Sequence, residues 1–367
     1  MRIVSLVPHA TELLFALGLG DDVVAVTHEC DHPARALELP RVTKDRLPPG
    51  LSAGEIDAAV RASVAGEGTI YELDTELLHE LEPDLIVTQE LCPVCAVTYD
   101  EVVKEAEQIV SCPKVIALDP KTIGETMGDI RTVAAATGAR DAALDLVARQ
   151  RARIDSVRTA VKGADRPTVA AIEWFDPVFI AGHWTPQLVE LAGGVDILGF
   201  PGEHSEQTTW ETVAAAQPQV IVCMPCGYDA ARSLEEAQTF ADQLRGVGAR
   251  RVVAVDAAAY FSRPGPRLVD GLELLGHVLH PELVGLPEGV AGPLEVRLCL
   301  VRGLFSTCTP RAGATARTAS SSCSPPGSTR SATARSSCYP TTASSGLCSG
   351  TPASRSKCDR WRSCAAR

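Results

Sequence analysis

Cysteine and histidine side chains follow several of the short apolar runs that predict β-strands. Eight of them stand at or just after a predicted strand end: His9, His28, Cys30, His32, Cys92, Cys95, Cys223 and Cys226. Thiolates and imidazoles bind zinc, copper(I) and iron, and they also ligate a metal already held inside a macrocycle. The pattern predicts a ligand-binding site built from strand ends.

The last four residues of this set form two Cys-x-x-Cys pairs, Cys92/Cys95 and Cys223/Cys226. One interpretation is a shared transition-metal site or contact with a bound ligand. The other is that a cysteine at a buried strand end acts as a small apolar side chain. In the loop after the second run, alternate residues of an extended chain point the same way, so His28, Cys30 and His32 are expected to converge.

Aromatic residues are scarce, at 4% of the chain, and three of the four tryptophans lie between residues 164 and 290. Trp174, Trp184 and Tyr260 follow predicted strands there, and flat rigid rings suit a planar ligand. Arg263 precedes Pro264-Gly265 and is expected to meet a ligand carboxylate or phosphate. The alternative for these aromatic side chains is that they pack in the protein core.

The elements that position these residues alternate between strand and helix. Strands are predicted at 3–7, 23–26, 85–88 and 115–118, and again at 169–172, 220–223 and 251–255. This order is typical of α/β folds with parallel sheets. Between the halves, apolar residues recur at helical spacing from Ile123 to about Val161, with Gly138 as a potential break. The sequence therefore predicts two Rossmann-like lobes, at 1–120 and 164–290, joined by one long helix at 121–163.

The two halves contain a short internal echo. Glu76 stands seven residues before Pro83 and the strand 85–88, and Glu211 stands seven residues before Pro218 and the strand 220–223. Ligands bind outside the carboxyl ends of parallel strands. Two halves of one plan are thus expected to present both Cys-x-x-Cys loops to a shared cleft.

Charge and composition change near Pro293. Eleven Lys or Arg against two Asp or Glu give residues 293–367 a charge of +9, so the first 292 residues carry −21 of the total of −12. So acidic a body excludes a nucleic-acid-binding role. Residues 291–367 are rich in Ser, Arg and Cys and lack apolar periodicity. They are interpreted either as a disordered basic tail or, as we favour, as the product of a shift in reading frame.

No apolar run approaches the length of a membrane span, and the strand-like run after Met1 is too short for a signal peptide. The chain as written is therefore expected in the cytoplasm. If the true start lies upstream, the expected location is the periplasm or the extracellular space.

Four segments resemble the cobalamin- and iron-chelate-binding proteins of bacterial ABC importers. They are Arg2–Pro8 with Thr11-Glu12-Leu13, Glu82–Val87, Gln187–Gly194 and Gln217–Ile221. The resemblance covers about residues 1–285. It implies a substrate-binding protein with a helical backbone between its lobes, which holds cobalamin, another tetrapyrrole or an iron chelate in the cleft and has no catalytic chemistry.

The resemblance also implies a partner, because a glutamate on each lobe of these proteins docks on arginines of the ABC transporter permease. Glu76 and Glu211 occupy the corresponding positions. The Cys- and His-rich strand ends are unusual for the exported corrinoid binders. They leave open a second interpretation, in which the cleft belongs to a metal-binding protein or a metal-dependent enzyme.

Overall fold

The computed structural model describes residues 1–66, 70–90 and 97–298. The first lobe contains a four-stranded parallel sheet in the order β2-β1-β5-β6 and a separate antiparallel pair, β3 and β4. Its strands are β1 (Ile3–Ser5), β2 (Val23–Val26), β3 (Thr43–Asp45), β4 (Tyr71–Leu73), β5 (Leu85–Thr88) and β6 (Lys114–Ala117). Its helices are α1 (Pro8–Ala16), α2 (Ala53–Gly66), α3 (Thr75–Leu81) and α4 (Tyr99–Ala106).

Two consecutive helices, α5 (Ile123–Thr137) and α6 (Arg140–Ala160), occupy the segment predicted as one long helix. The break falls at Gly138, whose φ of 82° lies in the left-handed region that favours glycine. The longer helix, α6, links the lobes. Leu146 and Val147 pack into the core of the first lobe, whereas Val157 packs into the core of the second.

The second lobe contains a sheet in the order β10-β8-β7-β11-β12-β13, with β9 paired to β7. Its strands are β7 (Thr168–Phe175), β8 (Val178–Ile180), β9 (Val195–Asp196), β10 (Glu206–Gln207), β11 (Val220–Cys223), β12 (Arg251–Ala254) and β13 (Leu294–Glu295). Its helices are α7 (Thr185–Leu191), α8 (Trp210–Ala216), α9 (Ala230–Thr239), α10 (Ala241–Val247), α11 (Ala257–Tyr260) and α12 (Leu268–Leu279). The centre is parallel as predicted, whereas β8, β10 and β13 pair antiparallel.

The predicted end of the second lobe at residue 290 was wrong. Strand β13 pairs with β12, and Val296 packs into the hydrophobic core beneath that pair. Covering β12 in this way satisfies backbone groups that an edge strand would otherwise expose. The predicted tail and frame shift concern residues that, from 299 onward, lie outside the described part of the chain.

Both faces of the second sheet are covered by helices, so its central strands are buried on both sides. Along β11, Val220 and Val222 belong to one hydrophobic cluster, and Ile221 and Cys223 belong to the cluster on the opposite face. Alternation of side chains along a strand produces this division. The same alternation places the Cys223 side chain in the hydrophobic cluster that contains Ile221.

The internal echo corresponds to a structural repeat. Helices α3 and α8 each have seven residues, begin after an N-cap whose side chain accepts a backbone N–H, and end at a left-handed residue. Those end residues, Glu82 and Gln217, precede a proline and then β5 or β11. The repeat therefore sets Glu76 and Glu211 at equivalent places in the two lobes.

Candidate functional site

The carboxyl ends of the two sheets meet through a group of ion pairs. Arg263, after β12, pairs with the carboxylate of Asp31, after β2, and its Nη2 also donates to the backbone oxygen of Glu29 at 3.1 Å. Beside it, Arg267 donates to both oxygens of Glu12 at 2.5 and 3.0 Å. These contacts join the strand ends of one lobe to those of the other.

The ion pairs change the expected role of Arg263. Burial alone would lower the pKa of its guanidinium, but hydrogen bonding and attraction to Asp31 and Glu12 raise it. For Asp31, burial opposes ionisation, but the hydrogen bond and charge of Arg263 outweigh it and lower the pKa. Arg263 was predicted to bind a ligand anion. The structure instead engages it with carboxylates of the first lobe.

His9 and Cys30 were predicted to contact ligand, but both are buried. His9 is 3% exposed and lies against Gly265, where burial and the charge of Arg263 lower its pKa to about 3. The Cys30 sulfur lies 3.0 Å from the Thr11 hydroxyl, and burial raises the pKa of this thiol to about 11. Thr11 lies inside α1, because Pro8 starts this helix.

The expected convergence of His28, Cys30 and His32 does not occur. While Cys30 packs against α1, the His28 Nδ1 lies 2.7 Å from the Thr43 hydroxyl and its ring lies 5.2 Å from that of Tyr71. His32 is exposed. Within the described ranges, no three His, Cys, Asp or Glu side chains are arranged to hold a metal ion.

The four cysteines of the two Cys-x-x-Cys pairs differ in their surroundings. Cys92 and Cys95 lie outside the described residues. Cys223 is fully buried on the inner face of β11, and burial raises the pKa of its thiol, so the predicted ligand contact of this residue was wrong. Cys226 is exposed three residues beyond it. A four-cysteine metal site therefore gains no support from the described part of the chain.

The predicted aromatic residues also separate into core and surface. Trp184 is 6% exposed and donates to the backbone oxygen of Phe261 at 2.8 Å, and the Tyr260 hydroxyl accepts from the backbone N–H of Ala291. Both rings belong to the hydrophobic core of the second lobe. Trp174 is half-buried near the end of β7 and meets the ring of Tyr228 edge to face at 5.5 Å. Trp174 is thus the predicted aromatic residue best placed for a ligand.

Two histidines from different loops, His183 and His204, lie together near these strand ends. His183 Nε2 lies 3.2 Å from His204 Nδ1, and the two rings meet at 90°. Burial, His204 and the charge of Lys121 lower the pKa of His183. Histidines in two different loops carry no shared spacing, so sequence alone offered no signal that joins them.

Helix α2 crosses from the first lobe to the second. A side-chain carbon added at Gly54 would lie 2.7 Å from an Asp176 oxygen, and the Arg61 guanidinium donates to the side chain of Gln207 at 3.1 Å. Asp176 and Gln207 belong to the β7–β8 turn and to β10 of the second lobe. The lobes are therefore bridged by α2 as well as by the ion pairs around Arg263.

The family model of periplasmic binding proteins matches residues 3–251. The chain belongs to this family. The vitamin B12-binding protein of Vibrio cholerae is 27% identical to it over 282 residues, which cover 74% of this chain and 86% of that protein. An uncharacterized ABC transporter substrate-binding lipoprotein of Bacillus subtilis is 23% identical and covers 77% of this chain, matched over 80% of its own length.

Solved structures of periplasmic binding proteins share this fold. The periplasmic vitamin B12 binding protein of Vibrio cholerae aligns with a TM-score of 0.55 and 25% identity, over 76% of this chain and 96% of that one. The periplasmic haem-binding protein of the same organism aligns with a TM-score of 0.57 and 20% identity, over 77% and 99%. The family consists of substrate-binding transport proteins, and this chain is a ligand-binding protein of that type.

No helix among the described residues combines the length and apolar character needed to cross a membrane.

Proposed function

We propose that this protein holds cobalamin, or a related tetrapyrrole or iron chelate, in the cleft between its lobes and delivers it to an ABC transporter. The observation that carries the proposal is the similarity to the vitamin B12-binding protein of Vibrio cholerae, which extends over both lobes. We expect the residues at the strand ends to determine which of these ligands the protein binds.

The aromatic pair of Trp174 and Tyr228 supports a flat ligand. Tyr228 is 4% exposed, and the guanidinium carbon of Arg232 lies 3.7 Å from the centre of its ring. The indole of Trp174 contacts the ring of Tyr228 edge to face, and its Nε1 donates to the backbone oxygen of Asp176 at 3.1 Å. A half-buried indole held in one orientation offers apolar area to a macrocycle with little loss of side-chain entropy.

Titration of the full-length protein with cobalamin and with haem tests the proposal. We expect a shift of the corrin or Soret absorption band, and a Trp174→Ala variant that binds about tenfold more weakly because it loses aromatic contact area. Leu144→Ala is the matched control, since Leu144 is 69% exposed on α6, and its affinity should equal that of the wild type. No band shift with either ligand would reject the proposal.

The proposal includes a transporter permease as partner, met by Glu76 of α3 and Glu211 of α8. Both carboxylates are exposed in the first turn of their helices. Hydrogen bonds from the Glu211 backbone and the Thr209 side chain lower the pKa of Glu211. This group is therefore negatively charged at neutral pH and suited to a basic partner surface. Docking on a permease of this kind also requires the protein to act outside the cytoplasmic membrane.

A further inference from the structure

The two imidazoles of His183 and His204 lie close together at a surface that solvent reaches. His183 is half-buried and His204 is exposed. The two facing nitrogens are 3.2 Å apart and within hydrogen-bond distance. This separation also falls in the range found between two adjacent donor atoms bound to one metal ion. With metal–nitrogen bonds of about 2.0–2.1 Å, two ligands at tetrahedral or octahedral angles are separated by roughly 2.9–3.4 Å.

The backbone holds these two loops in contact. His183 N donates to the Glu203 oxygen at 2.6 Å, and Gly202 N donates to the His183 oxygen at 2.9 Å. A side-chain carbon at Gly182 would lie 2.5 Å from the Glu203 oxygen, so only glycine permits this approach. His183 itself has a φ of 50°, in the left-handed region that a histidine rarely adopts. The pair is thus fixed by its surroundings.

Behind the pair, the Ser205 hydroxyl donates to the carboxylate of Glu173 at 2.6 Å and accepts from the Gly182 backbone N–H at 3.1 Å. Ser205 and Gly182 are the chain neighbours of His204 and His183. This hydrogen-bonded link ties both loops to β7, so the distance between the imidazoles depends on β7 as well as on the loops.

We propose that His183 and His204 form a two-imidazole site for a divalent transition-metal ion with two adjacent open coordination positions. Imidazole suits Ni²⁺, Cu²⁺ and Zn²⁺. To bind the ion, the imidazole that donates in this pair changes tautomer, so that its proton lies on its other ring nitrogen. The lone pairs of His183 Nε2 and His204 Nδ1 then both face the ion. Water or a chelating molecule supplies the remaining ligands, because the described residues hold no third metal-binding side chain here.

This site goes beyond the proposed tetrapyrrole function. A planar macrocycle occupies four positions in one plane and leaves its open positions on opposite sides, so two adjacent imidazoles cannot both bind its metal. An ion that is hydrated, or held by an open-chain chelator, offers adjacent positions. The site therefore binds a different class of metal complex from cobalamin or haem.

Titration of the full-length, tag-free protein with the Ni²⁺–nitrilotriacetate complex tests the inference, because this chelator leaves two adjacent positions open. We expect wild-type binding and a loss of about tenfold or more in both His204→Gln and His183→Asn, since even supporting residues of metal sites contribute that much. Asparagine tolerates the φ of residue 183, so His183→Asn keeps the loop. His79→Gln, on the outer helix α3, is the matched control and should bind like the wild type.

A parallel titration with Ni²⁺ chloride separates the two sources of the metal. His204-dependent binding of the hydrated ion alone assigns the site to free ions, and His204-dependent binding of both probes assigns it to chelated metal as well. Ni²⁺–EDTA, which has no adjacent open positions, should not bind. Equal affinity of the wild type and His204→Gln for both probes would overturn the inference, whereas the corrin-band titration reports on the proposed function independently.

Discussion

His9 lies inside the protein beside Gly265 of the second lobe, with its Nε2 atom buried and without a hydrogen-bond partner in the described structure. A charged imidazole at this position would be deprived of water and would face Arg263, which is why its pKa falls to about 3. The folded protein therefore keeps His9 neutral over the pH range in which an unfolded histidine takes up a proton.

This difference predicts a pH dependence of stability. Between pH 6.5 and about pH 3 only the unfolded chain protonates at His9, so the free energy of unfolding should fall by up to about 1.4 kcal/mol for each pH unit lost. Urea unfolding at pH 7, 6 and 5 measures the slope. A His9→Gln variant lacks this contribution and should show a shallower slope. Parallel slopes for the two proteins would contradict the assignment, whatever their stabilities at pH 7.

Residue type at the strand ends could be predicted, but side-chain direction could not. Trp174 and Cys223 both lie near the end of a strand, yet one meets solvent and the other the core. The face that a side chain takes depends on the register with neighbouring strands and on which helices cover them. The sequence contains neither fact, so Cys223 was wrongly predicted, and the contact between His183 and His204 was not foreseen.

Among the secondary-structure elements, strongly periodic and well-punctuated segments were predicted closely. Strands β2, β5 and β11 have their predicted bounds. Helix α2 was not predicted. Nothing in its sequence indicates that it contacts Asp176 and Gln207, because those partners belong to the other lobe.

The repeated helices α3 and α8 carry a prediction about transport. In a strain that depends on this protein for ligand uptake, the double change Glu76→Lys and Glu211→Lys should reduce uptake of labelled cobalamin by about tenfold or more, because like charges then oppose a basic permease surface. The affinity of the purified protein for cobalamin should not change. Glu80→Lys, also exposed on α3, is the control. Unimpaired uptake by the double variant would remove the docking role.

For the molecule as a whole, the ion pairs around Arg263 and Arg267 join lobes that are far apart in sequence. Their carboxylates differ in environment. The Glu12 side chain is 3% exposed, whereas that of Asp31 is 56% exposed. A buried pair that loses one partner leaves an uncompensated charge, while a pair open to water is screened. The two pairs should therefore contribute unequally to stability.

Neutralising each carboxylate tests this difference. Glu12→Gln should lower the free energy of unfolding by about 3 kcal/mol, because the Arg267 guanidinium, 18% exposed, then keeps only its longer contact of 3.9 Å with Asp31. Asp31→Asn should lower it by about 1 kcal/mol or less. Urea unfolding at neutral pH measures both. Equal losses would show that exposure does not separate the two pairs.

The division of α6 between two hydrophobic cores has a mechanical consequence. Its 21 residues form a rod about 31 Å long in which every turn is hydrogen-bonded to the next. A change in the angle between the lobes must therefore be spread along this rod as gentle elastic curvature, since no loop offers a pivot within it. An arriving ligand consequently meets an opening of nearly constant width. Its affinity then reflects complementarity to a preformed shape, with little binding energy consumed in reshaping the protein.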